Sequence, residues 1–97
     1  MSKADEMFEK LGYELIEDSK RYLRYAKYDN IGSYKYSGEF IDFDKVNKEF
    51  RLTRKTHQGN THFRYSNMQE LQAINEKCKE LRMDGGIEYG RKIKYDI

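Results

Sequence analysis

Ala4, Met7, Phe8 and Leu11 fall at i, i+3, i+4 and i+7, with Asp5 and Glu6 ahead of them and Gly12 just behind. That spacing, with acids in the first turn and glycine past the end, predicts a short amphipathic helix over 2–11. From Tyr13 onward the period changes. The stretches 13–17, 21–28, 33–37, 39–44, 49–54 and 60–65 are short, rich in aromatic and β-branched residues, and separated by turn formers, the pattern of an antiparallel β-meander. Phe40-Ile41-Asp42-Phe43 and Phe50-Arg51-Leu52-Thr53 answer one another as a hairpin, with Asn47 the residue in the connecting turn suited to a left-handed conformation. Residues 21–28 place a basic residue and a tyrosine at every third position, which a helix would also accommodate; tyrosine content and the turn-like Glu17-Asp18-Ser19-Lys20 favour a strand.

The strongest element is a helix over 66–83. Ser66 and Gln69 have capping-box spacing, Met68, Leu71, Ile74, Cys78 and Leu81 recur at helical spacing, and Asp84-Gly85-Gly86 marks the stop. Ile87, Tyr89, Arg91, Ile93, Tyr95 and Ile97 then alternate with Glu88, Gly90, Lys92, Lys94 and Asp96, a half-buried strand. The expected architecture is α+β: a short N-terminal helix, an antiparallel β-meander, a long C-terminal helix packed on the sheet, and a final C-terminal strand. With 97 residues, no proline and no low-complexity stretch, 1–97 is expected to form a single domain.

Composition then narrows the chemistry. Apolar and charged residues each make up 37%, which leans toward disorder, but nine Tyr and five Phe supply enough ring area for a thin core. No apolar run reaches the ~18 residues of a membrane span, and the first twelve residues lack the layout of a secretion signal. A single cysteine, Cys78, forms no internal disulfide, so a cytoplasmic setting with no membrane partner is expected. His57 and His62 flank a polar turn but lack further ligands for zinc, and Cys78 lies on the expected core face, so no metal, no cofactor and no thiol nucleophile are expected. Asp42 and Asp44, two apart on one strand face, are the only carboxylate pair worth weighing for a metal-dependent hydrolase, and a solvated strand face explains them as well. There is no glycine-rich phosphate loop, and the chain is not expected to be an enzyme.

The most suggestive pattern interleaves cations with tyrosines. Tyr22, Arg24, Tyr25, Tyr28, Tyr34 and Tyr36 form the expected contact set for a partner protein, since Tyr and Arg are the residue types interfaces favour. The alternative is a nucleic-acid-binding module in which Arg21, Arg24, Lys27, Arg51, Arg54 and Lys55 meet phosphates. The net charge, 19 basic against 17 acidic side chains, is +2 and favours neither. Monomer and homodimer both remain open, because Lys92 and Lys94 guard an edge that pairing of two copies would otherwise cover.

Two stretches carry a resemblance. Residues 4–13 (Ala-Asp-Glu-Met-Phe-Glu-Lys-Leu-Gly-Tyr) and 68–81 (Met-Gln-Glu-Leu-Gln-Ala-Ile-Asn-Glu-Lys-Cys-Lys-Glu-Leu) resemble small uncharacterised proteins encoded by phages and prophages of Gram-positive bacteria. Such relatives often close the second helix with a Leu-Gly-Trp-like end, from which Leu81-Arg82-Met83 departs. The resemblance implies no catalytic residues. It implies a bacterial host cell and an accessory protein that binds a host or phage macromolecule, anti-defence inhibitors of the anti-CRISPR kind included. The order helix, three strands, helix is also similar to double-stranded RNA-binding domains, but the second helix here opens Asn67-Met68-Gln69-Glu70, with no Lys or Arg until Lys77.

Overall fold

The computed structural model describes residues 2–29 and 37–83. They form an α+β structure of two helices and a five-stranded antiparallel sheet: α1 (Lys3–Lys10), β1 (Glu14–Asp18), β2 (Tyr22–Tyr28), β3 (Gly38–Asp44), β4 (Glu49–Lys55), β5 (Thr61–Phe63) and α2 (Met68–Glu80). Every strand pairs with its neighbour in sequence, in the order β1-β2-β3-β4-β5, so the meander is realised. Residues 21–28 are strand. The expected C-terminal strand, and most of the expected strand over 33–37, lie outside the described residues.

The β3–β4 hairpin has the register the sequence predicts, with Phe40 opposite Thr53, Ile41 opposite Leu52, Asp42 opposite Arg51 and Phe43 opposite Phe50. Its turn is built differently. Lys48, not Asn47, takes the left-handed conformation, at φ 57°. Asp44 Oδ1 accepts from the backbone N–H groups of Val46 and Asn47, both at 3.0 Å, and its Oδ2 accepts from Asn47 Nδ2 at 2.9 Å. The side-chain clamp holds Asn47, and the positive φ passes to the next residue. β5 is shorter than the expected 60–65. Arg64 N–H still donates to the Leu52 carbonyl, but its guanidinium is drawn to Glu70 at the start of α2, and the chain turns there into the helix.

Both helices end in the same way. At α1, Gly12 takes φ 93°, its N–H bonds the Glu9 carbonyl at 2.9 Å, and Tyr13 N–H bonds the Phe8 carbonyl at 3.0 Å. At α2, Arg82 takes φ 56°, its N–H bonds Lys79 at 3.1 Å, and Met83 N–H bonds Cys78 at 2.9 Å. Each is a Schellman motif satisfying otherwise orphaned carbonyls. The expected stop at Asp84-Gly85-Gly86 is therefore corrected: α2 stops at Glu80. Its start is also shifted by one, because Asn67 and Glu70 form the reciprocal capping box expected of Ser66 and Gln69.

One face of the sheet, the inner face, packs on both helices. Phe8, Tyr13, Leu23, Tyr25, Ile41, Phe43, Leu52, Ala73, Ile74, Cys78 and Met83 make one hydrophobic cluster. Tyr25 stacks on Phe8 at 4.1 Å between centroids, and Phe43 meets both rings edge-on. Met68, expected in this core, is instead exposed at the first turn of α2, because the inner face of α2 is set by Glu70, Ala73, Ile74, Lys77 and Cys78. Two of those five are charged, and both are neutralised. Glu70 accepts from Tyr13 Oη at 2.7 Å and from Arg64 Nη1 at 2.8 Å, while Arg64 Nη2 donates to Tyr13 Oη at 2.8 Å. Lys77 lies 3.0 Å from Asp5 and 2.7 Å from Glu80, whose other oxygen accepts from Ala4 N–H at 3.2 Å. Tyr25 Oη donates to Asp5 at 2.5 Å, so the two helices and β2 share one polar clasp over the core.

Candidate functional site

Antiparallel register sorts the strand residues by face, since directly opposed residues point the same way and neighbours alternate. Leu23 and Tyr25 on β2, Ile41 and Phe43 on β3, and Leu52 on β4 face the helices. The outer face carries a different set, arranged in rows across the strands. One row reads Glu17, Arg24, Asp42, Arg51; the next toward the hairpin turn reads Tyr22, Asp44, Glu49; on the other side lie Glu14, Ala26, Phe40, Thr53 and Phe63.

The charged row is a ladder of alternating sign. Arg24 Nε sits 2.9 Å from Asp42 Oδ1, an ion pair in which the N–H is not aimed for a hydrogen bond, and Arg51 Nε donates to Asp42 Oδ2 at 3.4 Å. The Arg24 guanidinium also lies 4.3 Å above the Phe40 ring, and Tyr28 meets the same ring edge-on at 5.8 Å. Phe40 is thereby buried although it is on the face away from the helices. Gly38, between Tyr28 and Lys55 in register, lets β2 come close, because a Cβ there would fall on the Lys27 carbonyl oxygen.

The expected contact residues separate accordingly. Tyr22, Arg24 and Tyr28 share the outer face. Tyr25 does not: it is 2% exposed and part of the core, so grouping it with the others on one surface is corrected by the alternation of the strand. Tyr34 and Tyr36 lie outside the described residues. Of the cations proposed for phosphates, Arg21 pairs with Asp44 at 3.4 Å, Arg51 with Asp42, and Arg54 with Asp29 through bonds of 2.9 and 2.6 Å. Lys27 is turned to the inner side, its ammonium 5.0 Å above the Tyr13 ring. Lys55 is half-buried at the far end of β4. The four arginines of this set therefore form pairs within the chain rather than a continuous positive surface.

Asp42 and Asp44 do share a face, yet Asp42 lies between two guanidiniums and Asp44 clamps the hairpin turn. Backbone hydrogen bonding from Asn47 holds the Asp44 carboxyl below its ordinary value, and Arg21 adds to the effect. Neither is placed as a proton donor. Among the described residues, no group of three His, Cys, Asp or Glu side chains could hold a metal ion. Burial pushes the Cys78 thiol up to about 11, away from thiolate chemistry. No helix among the described residues is long and apolar enough to cross a membrane.

The sequence reading missed three exposed apolar side chains close together in the chain. Phe63 is 80% exposed, Tyr65 97% and Met68 68%, three large side chains within six positions. Phe63 sits on edge strand β5 in the Phe40 row. Alternation placed Phe63 on a strand, but only the strand order reveals that this strand is at the edge of the sheet among the described residues. The Asp42–Arg51 pair, by contrast, could have been read from the hairpin register.

Comparison of the chain with protein-family models, with curated proteins and with solved structures finds no match.

Proposed function

We propose that the protein is a small non-catalytic binding protein that acts by covering a site on a partner protein with the outer face of its sheet, from Tyr22 and Arg24 through Tyr28 to Phe63. The observation that carries this reading is the exposure of Phe63, Tyr65 and Met68, the three most exposed large apolar side chains among the described residues. Large apolar side chains left exposed next to a polar, ion-paired surface are of the kind through which proteins bind one another. The resemblance of both helices to proteins of phages and prophages supports a host or phage protein as the partner, inside the bacterial cell, with anti-defence inhibition as its most specific form.

The nucleic-acid alternative is disfavoured by the ion pairing of Arg21, Arg51 and Arg54, since a paired arginine has fewer free donors for phosphate. The test is capture from a nuclease-treated lysate of a Gram-positive bacterium, comparing the wild-type chain with Phe63→Asp/Tyr65→Ser. A discrete protein held by the wild type and lost by the variant is the expected result. Material that disappears with nuclease, or a partner held equally by both, overturns the reading in favour of nucleic acid or another surface.

A further inference from the structure

The corner of the outer face around Tyr22 is concave, with a volume of about 330 Å³, the lower end of the range for sites that enclose a ligand group. Its walls hold four carboxylates, Glu17, Asp42, Asp44 and Glu49, against two guanidiniums, Arg24 and Arg51. Both guanidiniums have Asp42 as their ion-pair partner among the described residues, and that of Arg24 also covers the Phe40 ring. Glu17 and Glu49 are paired with no cation among the described residues, and Glu49 stands directly across the sheet from Asp44, itself across from Tyr22. The corner is thus short of positive charge beside an open aromatic ring.

The chain shows what two groups of this wall, Tyr22 and Asp44, accept from beside it. The Arg21 guanidinium lies 5.2 Å from the Tyr22 ring centroid, and its Nη2 reaches Asp44 Oδ2 at 3.4 Å. Its side chain is half exposed and this single ion contact is long, so it is loosely held and can be displaced. A planar guanidinium suits the ring face and the carboxylate pair better than an ammonium, because it stacks and bonds two acceptors at once. Phosphate or a carboxylate ligand would meet Glu17, Asp44 and Glu49 with like charge.

We propose that this corner receives an arginine side chain from the partner protein, displacing Arg21 from the Tyr22 ring and bringing a guanidinium between Asp44 and Glu49. The proposal rests on the reading of the outer face as a protein-binding surface and names the chemistry that surface selects.

The probe is an acetylated tetra-arginine amide, titrated into the 15N-labelled full chain at low salt, with a tetra-lysine amide for comparison. Amide shifts should concentrate at Tyr22, Asp44 and Glu49, with the arginine peptide binding more tightly. Arg21→Ala, an exposed change that removes the competitor, should tighten binding by about two- to threefold, and Glu17→Gln/Glu49→Gln should weaken it by about that factor per charge. Shifts spread over both faces, equal affinity for the two peptides, or indifference to all three substitutions would overturn the proposal. A protein captured through Phe63 and Tyr65 while tetra-arginine leaves the corner unperturbed would overturn it and leave the outer-face reading standing. Peptide binding at the corner with no protein captured would support the corner's chemistry while removing that reading.

Discussion

Glu70 shows how one residue can hold three elements. Its carboxylate, 2% exposed, takes hydrogen bonds from Tyr13 after α1, from Arg64 after β5, and from the Asn67 N–H at its own helix start. Burial opposes its ionisation, but the bonds from Arg64 and Tyr13 outweigh that and hold its pKa below the ordinary value. Glu70→Gln keeps the shape, removes the charge and leaves Arg64 with Glu39, 3.5 Å away, as its carboxylate partner. Urea unfolding should show a loss of about 2–3 kcal/mol, toward the lower end for a broken buried pair because Arg64 keeps some contact with water. A loss under about 0.5 kcal/mol would mean the network is dispensable. None of this was legible in the sequence, where Glu70 looked like a polar residue beside a capping box. The face of Tyr25 was legible: alternation from Leu23 puts it inside, while grouping by composition put it with Tyr22 and Tyr28 outside.

At the scale of elements, the sequence reading succeeded where a local rule and the tertiary packing agree, and failed where a residue does a job against its type. The β3–β4 register was predictable because turn length and the Phe-Ile-Asp-Phe pattern leave little freedom. The end of α1 was predictable because glycine occupies the left-handed position. The end of α2 was not, since Arg82 fills the same position and the nearest glycines lie three residues further on. A left-handed non-glycine residue costs energy that a glycine does not. Arg82→Gly should therefore raise stability by about 1 kcal/mol, seen as a higher urea midpoint at unchanged slope. A lower midpoint would show that the Arg82 side chain contributes more than its backbone costs. The outer face was legible only in part: Tyr22 and Arg24 were named, while Phe63, Glu17 and Glu49 needed the strand order to place them beside one another.

For the whole molecule, the titratable groups set two limits in pH. The carboxyls of Asp5, Glu70 and Glu80 all lie below their ordinary values, burial opposing ionisation in each and hydrogen bonds from Tyr25, Arg64 and Lys77 respectively outweighing it. Their stabilisation is complete above the unfolded values of 3.8 and 4.5 and is lost as pH falls through the lower folded values. Tyr13 and Tyr25 are raised, first by burial and then by Glu70 and Asp5; Lys77 is raised because its bonds to Glu80 and Asp5 outweigh burial. Their stabilisation is complete below 10.0 to 10.5 and fades above it. Melting temperature should be flat between about pH 5 and 9 and fall on both sides, with Glu70→Gln flattening the acid limb. A midpoint still rising across that window would contradict the assignment.

The clasp of Asp5, Lys77 and Glu80 has a consequence in time. Among the described residues every strand pairing joins neighbours in the chain, whereas the Ala4–Glu80 bond spans 76 positions. Closing short loops costs less than closing long ones, so the hairpins are expected to assemble first and the bond between helices to be made after the rate-limiting step. Lys77→Met should leave the refolding rate nearly unchanged while unfolding accelerates roughly 5- to 30-fold for a loss of about 1–2 kcal/mol. A slowed refolding limb would place the clasp before the barrier. If it closes last, it also opens first, and the lifetime of the folded molecule is governed by a lysine between two acids rather than by the sheet.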